Sequence, residues 1–126
     1  MIRALLLALA LPVTPALALT CTPTTSCTLE GSCETGMTES RFTLTREGNT
    51  FALTDIPKLA TAPEMRFTEG PPSGDGLRSF TLTSPERGEV ALLTLHDERQ
   101  FILSVHGQLF GTPFGFLSEG PCEGTL

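Results

Sequence analysis

From Arg41 onward the chain alternates apolar and polar residues with a period of two, the pattern of strands with one buried face. Arg41-Phe42-Thr43-Leu44-Thr45-Arg46 puts Phe42 and Leu44 on one side, and Thr50-Phe51-Ala52-Leu53-Thr54 does the same with Phe51 and Leu53. Glu47-Gly48-Asn49 between them predicts a tight hairpin turn, because Gly and Asn accept the positive φ such a turn needs. Met65-Arg66-Phe67-Thr68 predicts a third strand. Residues 70–77 then hold two prolines and three glycines and no strand former before Leu77. They predict an exposed loop, the most mobile internal segment. Arg78-Ser79-Phe80-Thr81-Leu82-Thr83 resumes the alternation. Glu89 to Leu95 and Gln100 to Val105 predict a second hairpin about Asp97-Glu98-Arg99. Centring its turn on Glu98 pairs Leu95 with Phe101, Leu93 with Leu103 and Ala91 with Val105. That register gives one unbroken apolar face, which a one-residue slip would turn outward. Phe114-Gly115-Phe116-Leu117 predicts a last strand running to Cys122. The prediction is an all-β fold of seven or eight short strands, a small antiparallel β-barrel or sandwich. A barrel is slightly preferred, because a bridge from Cys122 to the N-terminal arm would join first and last strands.

The first eighteen residues follow a different pattern. Arg3 precedes an unbroken apolar run, Ala4 to Leu11, too short to span a bilayer. Pro12 and Pro15 break any helix, and Ala16-Leu17-Ala18 has the small-x-small form of a cleavage site. Residues 1–18 therefore read as a signal peptide, with a mature chain from Leu19. Residues 19–126 form one β domain, with a Cys-rich arm over residues 19–40. Thr20 precedes Cys21, whereas lipid-modified cysteines follow a smaller residue. The expected location is periplasmic or extracellular, with no membrane attachment after cleavage.

Charge narrows the partners. The chain has 8 basic and 14 acidic residues, a formal charge of −6. The leader holds Arg3 and no acid, so the mature chain is more acidic still. Phosphate backbones repel such a chain, which excludes nucleic acid as a partner class. Export implies an oxidising compartment, where four cysteines read as two disulfides. Three connectivities are open to them. Cys27 and Cys33 flank Leu29-Glu30-Gly31-Ser32, where Gly31 can supply a turn, so a local bridge is easy. That leaves Cys21 for Cys122.

Candidate chemistry is sparse. In the hairpin register above His96 opposes Gln100 and His106 opposes Val90, so both face outward. They lie about 20 Å apart along the hairpin, too far to share a metal. No serine sits in G-x-S-x-G. Glu86, Glu89, Asp97 and Glu98 lie in or near turns and read as charged hairpin ends that discourage edge pairing. Asp75, between Gly74 and Gly76, lacks the partner acids of a calcium loop. The chain has no Trp and no Tyr, so the aromatic platforms with a polar handle found in sugar and small-ligand sites are missing. The residues predict a non-enzyme without metal or cofactor.

Two resemblances add to this. Leu82 to Glu123, with the Cys21/Cys27/Cys33 arm, resembles a group of small secreted bacterial proteins of unestablished function. The shared features are Leu103-Ser104-Val105-His106-Gly107 and the ending Phe116-Leu117-Ser118-Glu119-Gly120-Pro121-Cys122-Glu123. This likeness implies a β-barrel and no activity. The chain is also similar to the periplasmic inhibitors of C-type lysozyme, in Ser73-Gly74-Asp75-Gly76-Leu77-Arg78 and Arg87-Gly88-Glu89-Val90-Ala91-Leu92-Leu93. It lacks the Tyr of the first motif and has Arg for Lys in the second. By this likeness Ser73 and Arg87 would enter a lysozyme cleft, with Gly74, Asp75 and Arg78 beside them. The sequence thus predicts an exported, non-enzymatic β-domain that binds or has a structural role. The alternative is a periplasmic lysozyme-type inhibitor presenting the 70–77 loop. An inhibitor should hold that loop out from a rigid barrel; a ligand binder should have an apolar cavity.

Overall fold

Gly48 and Asn49 turn the chain between β4 (Arg41–Glu47) and β5 (Thr50–Ile56), as their sequence predicts. Glu47 faces Thr50, so the turn has two residues, with Gly48 at φ 64°. The computed structural model describes residues 10–12, 17–36, 38–56, 65–84 and 88–126. Arg3, most of the apolar leader run, Ala16, Glu86 and Arg87 lie outside them. The remaining strands are β1 (Ala18–Cys21), β2 (Thr25–Thr28), β3 (Cys33–Thr35), β6 (Met65–Glu69), β7 (Leu77–Ser84), β8 (Glu89–His96), β9 (Gln100–Leu109) and β10 (Thr112–Gly124).

Strands β4 to β10 form an antiparallel meander, and β1 closes it by pairing with both β4 and β10. The result is an eight-stranded antiparallel barrel, with β2 and β3 added as an extension. The predicted hairpin register holds: Leu95 faces Phe101, Leu93 faces Leu103 and Ala91 faces Val105. The strands beyond the seven that alternation marks are β1, β2 and β3, inside the segment that reads as a stapled arm. β3, Cys33-Glu34-Thr35, is polar and exposed and is a strand by backbone pairing alone, while β1, Ala18-Leu19-Thr20-Cys21, buries Leu19 and Cys21 but is too short for that alternation to stand out.

The long β10 explains how the arm is used. Its one edge pairs with β9 over ten residues. The other edge takes β1 at Cys122–Gly124 and then β2 at Phe116–Glu119. Between the two the chain bends at Thr22–Thr24 but keeps its bonds: the Thr22 amide donates to the Pro121 carbonyl (2.9 Å) and the Thr24 amide to Glu119 (2.8 Å). Before the bend the chain turns inward to β4; after it, the chain leaves the barrel and pairs with β3. Gly120 sits where the bend presses closest, and a Cβ there would overlap the Thr22 carbonyl oxygen. Gly120→Ala is therefore expected to cost about 1–3 kcal/mol, the usual range for overpacking against backbone, read as a lower urea midpoint. An unchanged midpoint would show that the bend yields freely.

An eight-stranded barrel has an interior just wide enough for side chains to fill. Here Phe42, Phe51, Phe67, Phe80 and Phe101 fill it, with Leu19, Leu44, Leu93 and Leu95, all essentially buried. Phe42 meets Phe101 edge to face at 4.9 Å, and Phe51 meets Phe80 at 4.8 Å. The seam between β6 and β7 is thin, with only Thr68–Thr81 and Glu69–Phe80 facing each other among the described residues. Side chains reinforce it: Phe80 from within, and Arg78 at the end.

Cys21 faces Cys122 and Cys27 faces Cys33, each pair directly across neighbouring strands. Both pairs are disulfides, so the pairing follows the sequence expectation.

Candidate functional site

One end of the barrel gathers the Gly48–Asn49 turn, the 70–76 loop, the Asp97–Arg99 turn and the C-terminal residues. The period-two pattern that buries Phe80 and Leu82 also turns Arg78 inward at this end. Its guanidinium lies over the rings of Phe80 (5.4 Å) and Phe51 (5.9 Å). Nε and Nη2 donate to the two oxygens of Glu69 at 2.7 and 3.0 Å, and Nη1 donates to Glu98 at 2.6 Å. Glu98 also accepts from the Leu126 amide at 3.3 Å. Arg78 thus caps the apolar interior and clasps β6 to β7 across the thin seam. Its fork is filled by this chain's own carboxylates, and a partner reaching for it would have to displace them.

The Arg78 hydrogen bonds hold the Glu69 carboxyl below the ordinary Glu range, opposed by partial burial. The contribution to stability is therefore present above the unfolded-state Glu value of roughly 4.3 and is lost as pH falls through the lower folded-state value. Unfolding midpoints measured from pH 6 down to pH 3 should fall less steeply for Glu69→Gln than for the wild type. Equal slopes would mean that Glu69 is not linked to folding.

The other loop residues stand apart from this clasp. Ser73, Gly74 and Asp75 are exposed, and the Asp75 amide donates to Ser73 Oγ at 3.3 Å in a local turn. The base of the loop is pinned by Gly70 N–H to Ser79 O at 2.7 Å and by Asp97 N–H to Gly76 O at 3.0 Å. Ser73, Gly74 and Asp75 form an exposed tip, Arg78 lies in the barrel mouth below it, and Arg87 is outside the described residues.

His96 faces Gln100 and His106 faces Val90, both exposed on the outer face. His106 Nε2 lies 3.0 Å from Ser104 Oγ on the same face. His96 lines the groove described next; His106 and Ser104 do not. Among the described residues no cluster of His, Cys, Asp and Glu is placed to hold a metal.

The outer face of β8, β9 and β10 carries the feature that alternation alone misses. Val90, Leu92, Ile102 and Leu117 are 53, 44, 46 and 46 % exposed. Leu92 faces Ser104, which faces Leu117; Ile102 is diagonal to both leucines, and Val90 lies two positions before Leu92 on the same face of β8, so the four surround Ser104. They form one apolar patch, bordered by the Cys27–Cys33 bridge beside Leu117. Leu29 lies across Gly115 at the far corner, where any Cβ on Gly115 would strike it. A groove of about 500 Å³ opens beside Ile102, walled by Glu119, Pro121, Thr24, His96 and Leu77. The sequence does carry a signal: Val90-Ala91-Leu92-Leu93 and Phe101-Ile102-Leu103 are apolar at both phases. That is the pattern of strands covered on both faces.

Comparison with family models, with curated proteins and with solved structures finds no match. The functional reading therefore stands on residues and geometry. No helix among the described residues is long and apolar enough to cross a membrane.

Proposed function

We propose that this chain is an exported, non-enzymatic β-domain that acts by binding a protein with the outside of its barrel. One observation carries the reading: phenylalanines and leucines fill the interior while an apolar patch remains on the outer face. Scattered exposed leucines need no explanation, but a contiguous patch is the mark of a contact surface. Two disulfides suit an oxidising compartment outside the cytoplasm. The test is co-purification of the tagged chain from the envelope of the organism that makes it. A stoichiometric partner, lost when the chain is reduced and unfolded, is expected. No partner at any salt concentration would remove the reading.

A second reading, inhibition of a C-type lysozyme, is supported by the exposed 71–76 tip on a pinned base. Under it Ser73→Ala weakens inhibition in a cell-wall lysis assay. Absence of inhibition by the wild type ends it.

A further inference from the structure

The binding reading leaves the contact face and the partner's chemistry open, and the charges around the apolar patch address both. Strands β2, β3, β8, β9 and β10 contain no Lys and no Arg. The basic residues in described strands are Arg41, Arg46, Arg66 and Arg78, all on β4, β6 and β7. On the patch side the alternation of β10 sends Leu117, Glu119, Pro121 and Glu123 to the exposed phase, while Ser118 and Cys122 are buried. Glu119 faces Ile102 across the strand pair, so a carboxylate stands at the edge of the patch that meets the groove. The groove between Glu119, Pro121 and His96 has room for one long side chain.

We infer that the outer face of β8–β9–β10 docks a cationic protein. The contact segment of that protein joins apolar side chains, which cover Leu92, Ile102 and Leu117, to a Lys or Arg that enters the groove and meets Glu119. The stem of such a residue is apolar and its head is charged, which suits a groove walled by Ile102 and Pro121 with a carboxylate on one side. Charge complementarity also sets the direction of encounter, since an acidic chain draws in a basic partner. A second copy of the chain fits this face poorly. Two such faces would bring Glu119 against its own kind with no basic residue on these strands to pair with it; Arg99, in the turn joining β8 to β9, lines a separate cleft with Glu123. An anionic bilayer is repelled for the same reason.

The test uses the mature, oxidised chain and two synthetic peptides, one alternating Leu with Lys and the other Leu with Glu. Isothermal titration at low salt should show binding of the Leu/Lys peptide and none of the Leu/Glu peptide. Ile102→Ser and Glu119→Gln should each weaken it at least tenfold, with thermal midpoints close to wild type because both side chains are exposed. Glu47→Gln removes the same charge from the opposite side of the barrel and should leave binding unchanged. No binding of the Leu/Lys peptide, or equal binding of both peptides, overturns the inference. Equal weakening by Glu47→Gln and Glu119→Gln also overturns it, as diffuse charge attraction. So does a dimer in sedimentation that Ile102→Ser dissolves, which would make the face a self-contact, or binding to phosphatidylglycerol vesicles through Ile102. If a stoichiometric envelope partner is recovered equally well by the wild type and by Ile102→Ser, binding stands and this face falls.

Discussion

Replacing both Cys21 and Cys122 by Ala lowers the thermal unfolding midpoint by roughly 15–25 °C. The bridge joins residues 101 apart in sequence. In the chain-entropy account a loop of that length restricts the unfolded chain by about 4–5 kcal/mol. The loss is large against a net stability of about 5–15 kcal/mol for a domain of this size. The folded state also suffers, because Cys21 and Cys122 are buried and stand at the β1–β10 closure, where three residue pairs among the described residues complete the ring. The Cys27–Cys33 bridge spans 6 residues on the exposed extension, and its loss costs about 2 kcal/mol. Circular dichroism melts of the two double variants compare them directly. Equal shifts would mean that closure does not depend on the long bridge.

Phe80→Ala costs about 3–5 kcal/mol, the range for deleting a buried aromatic ring that neighbours cannot replace. Phe80 is fully buried, packs edge to face on Phe51 and lies under the Arg78 guanidinium. It also occupies the β6–β7 seam, where the described backbone supplies two facing pairs and the Gly70 N–H to Ser79 O bond. A cavity there loosens the clasp as well as the core. Urea unfolding should show the loss, and hydrogen exchange in β6 and β7 should rise before it rises in β8 and β9. A cost below about 1 kcal/mol, near that of removing a single buried methylene, would contradict the role given to this ring.

The barrel was legible where alternation was strict. Phe42, Leu44, Phe67, Phe80, Leu82 and Leu95 are apolar positions between polar ones, and each points inward. The β8–β9 register followed from the same rule, and so did the outward placement of both histidines. The cysteine pairing was legible because a short Gly31 turn leaves one simple partition. The closing strand β1 was less so: Ala18-Leu19-Thr20-Cys21 is too short for a period to show, and its place comes from pairing with residues a hundred positions away. Arg78 illustrates a different limit. Its motif suggests a partner contact, but its phase on β7 makes it the barrel's own cap, which only the distances to Glu69 and Glu98 reveal. The outer patch was visible in the sequence as runs with no alternation. Its meaning needed the fold, which shows that nothing described covers the second face.

Binding through the outside of a filled barrel is read directly by methyl shifts. The measurement is a titration of the isotope-labelled oxidised chain with the Leu/Lys peptide. Leu92, Ile102 and Leu117 should shift together, while the interior Leu44, Leu93 and Leu95 stay in place. Shifts confined to the interior leucines, or to the amides of Ser73 and Gly74 in the loop, would contradict it.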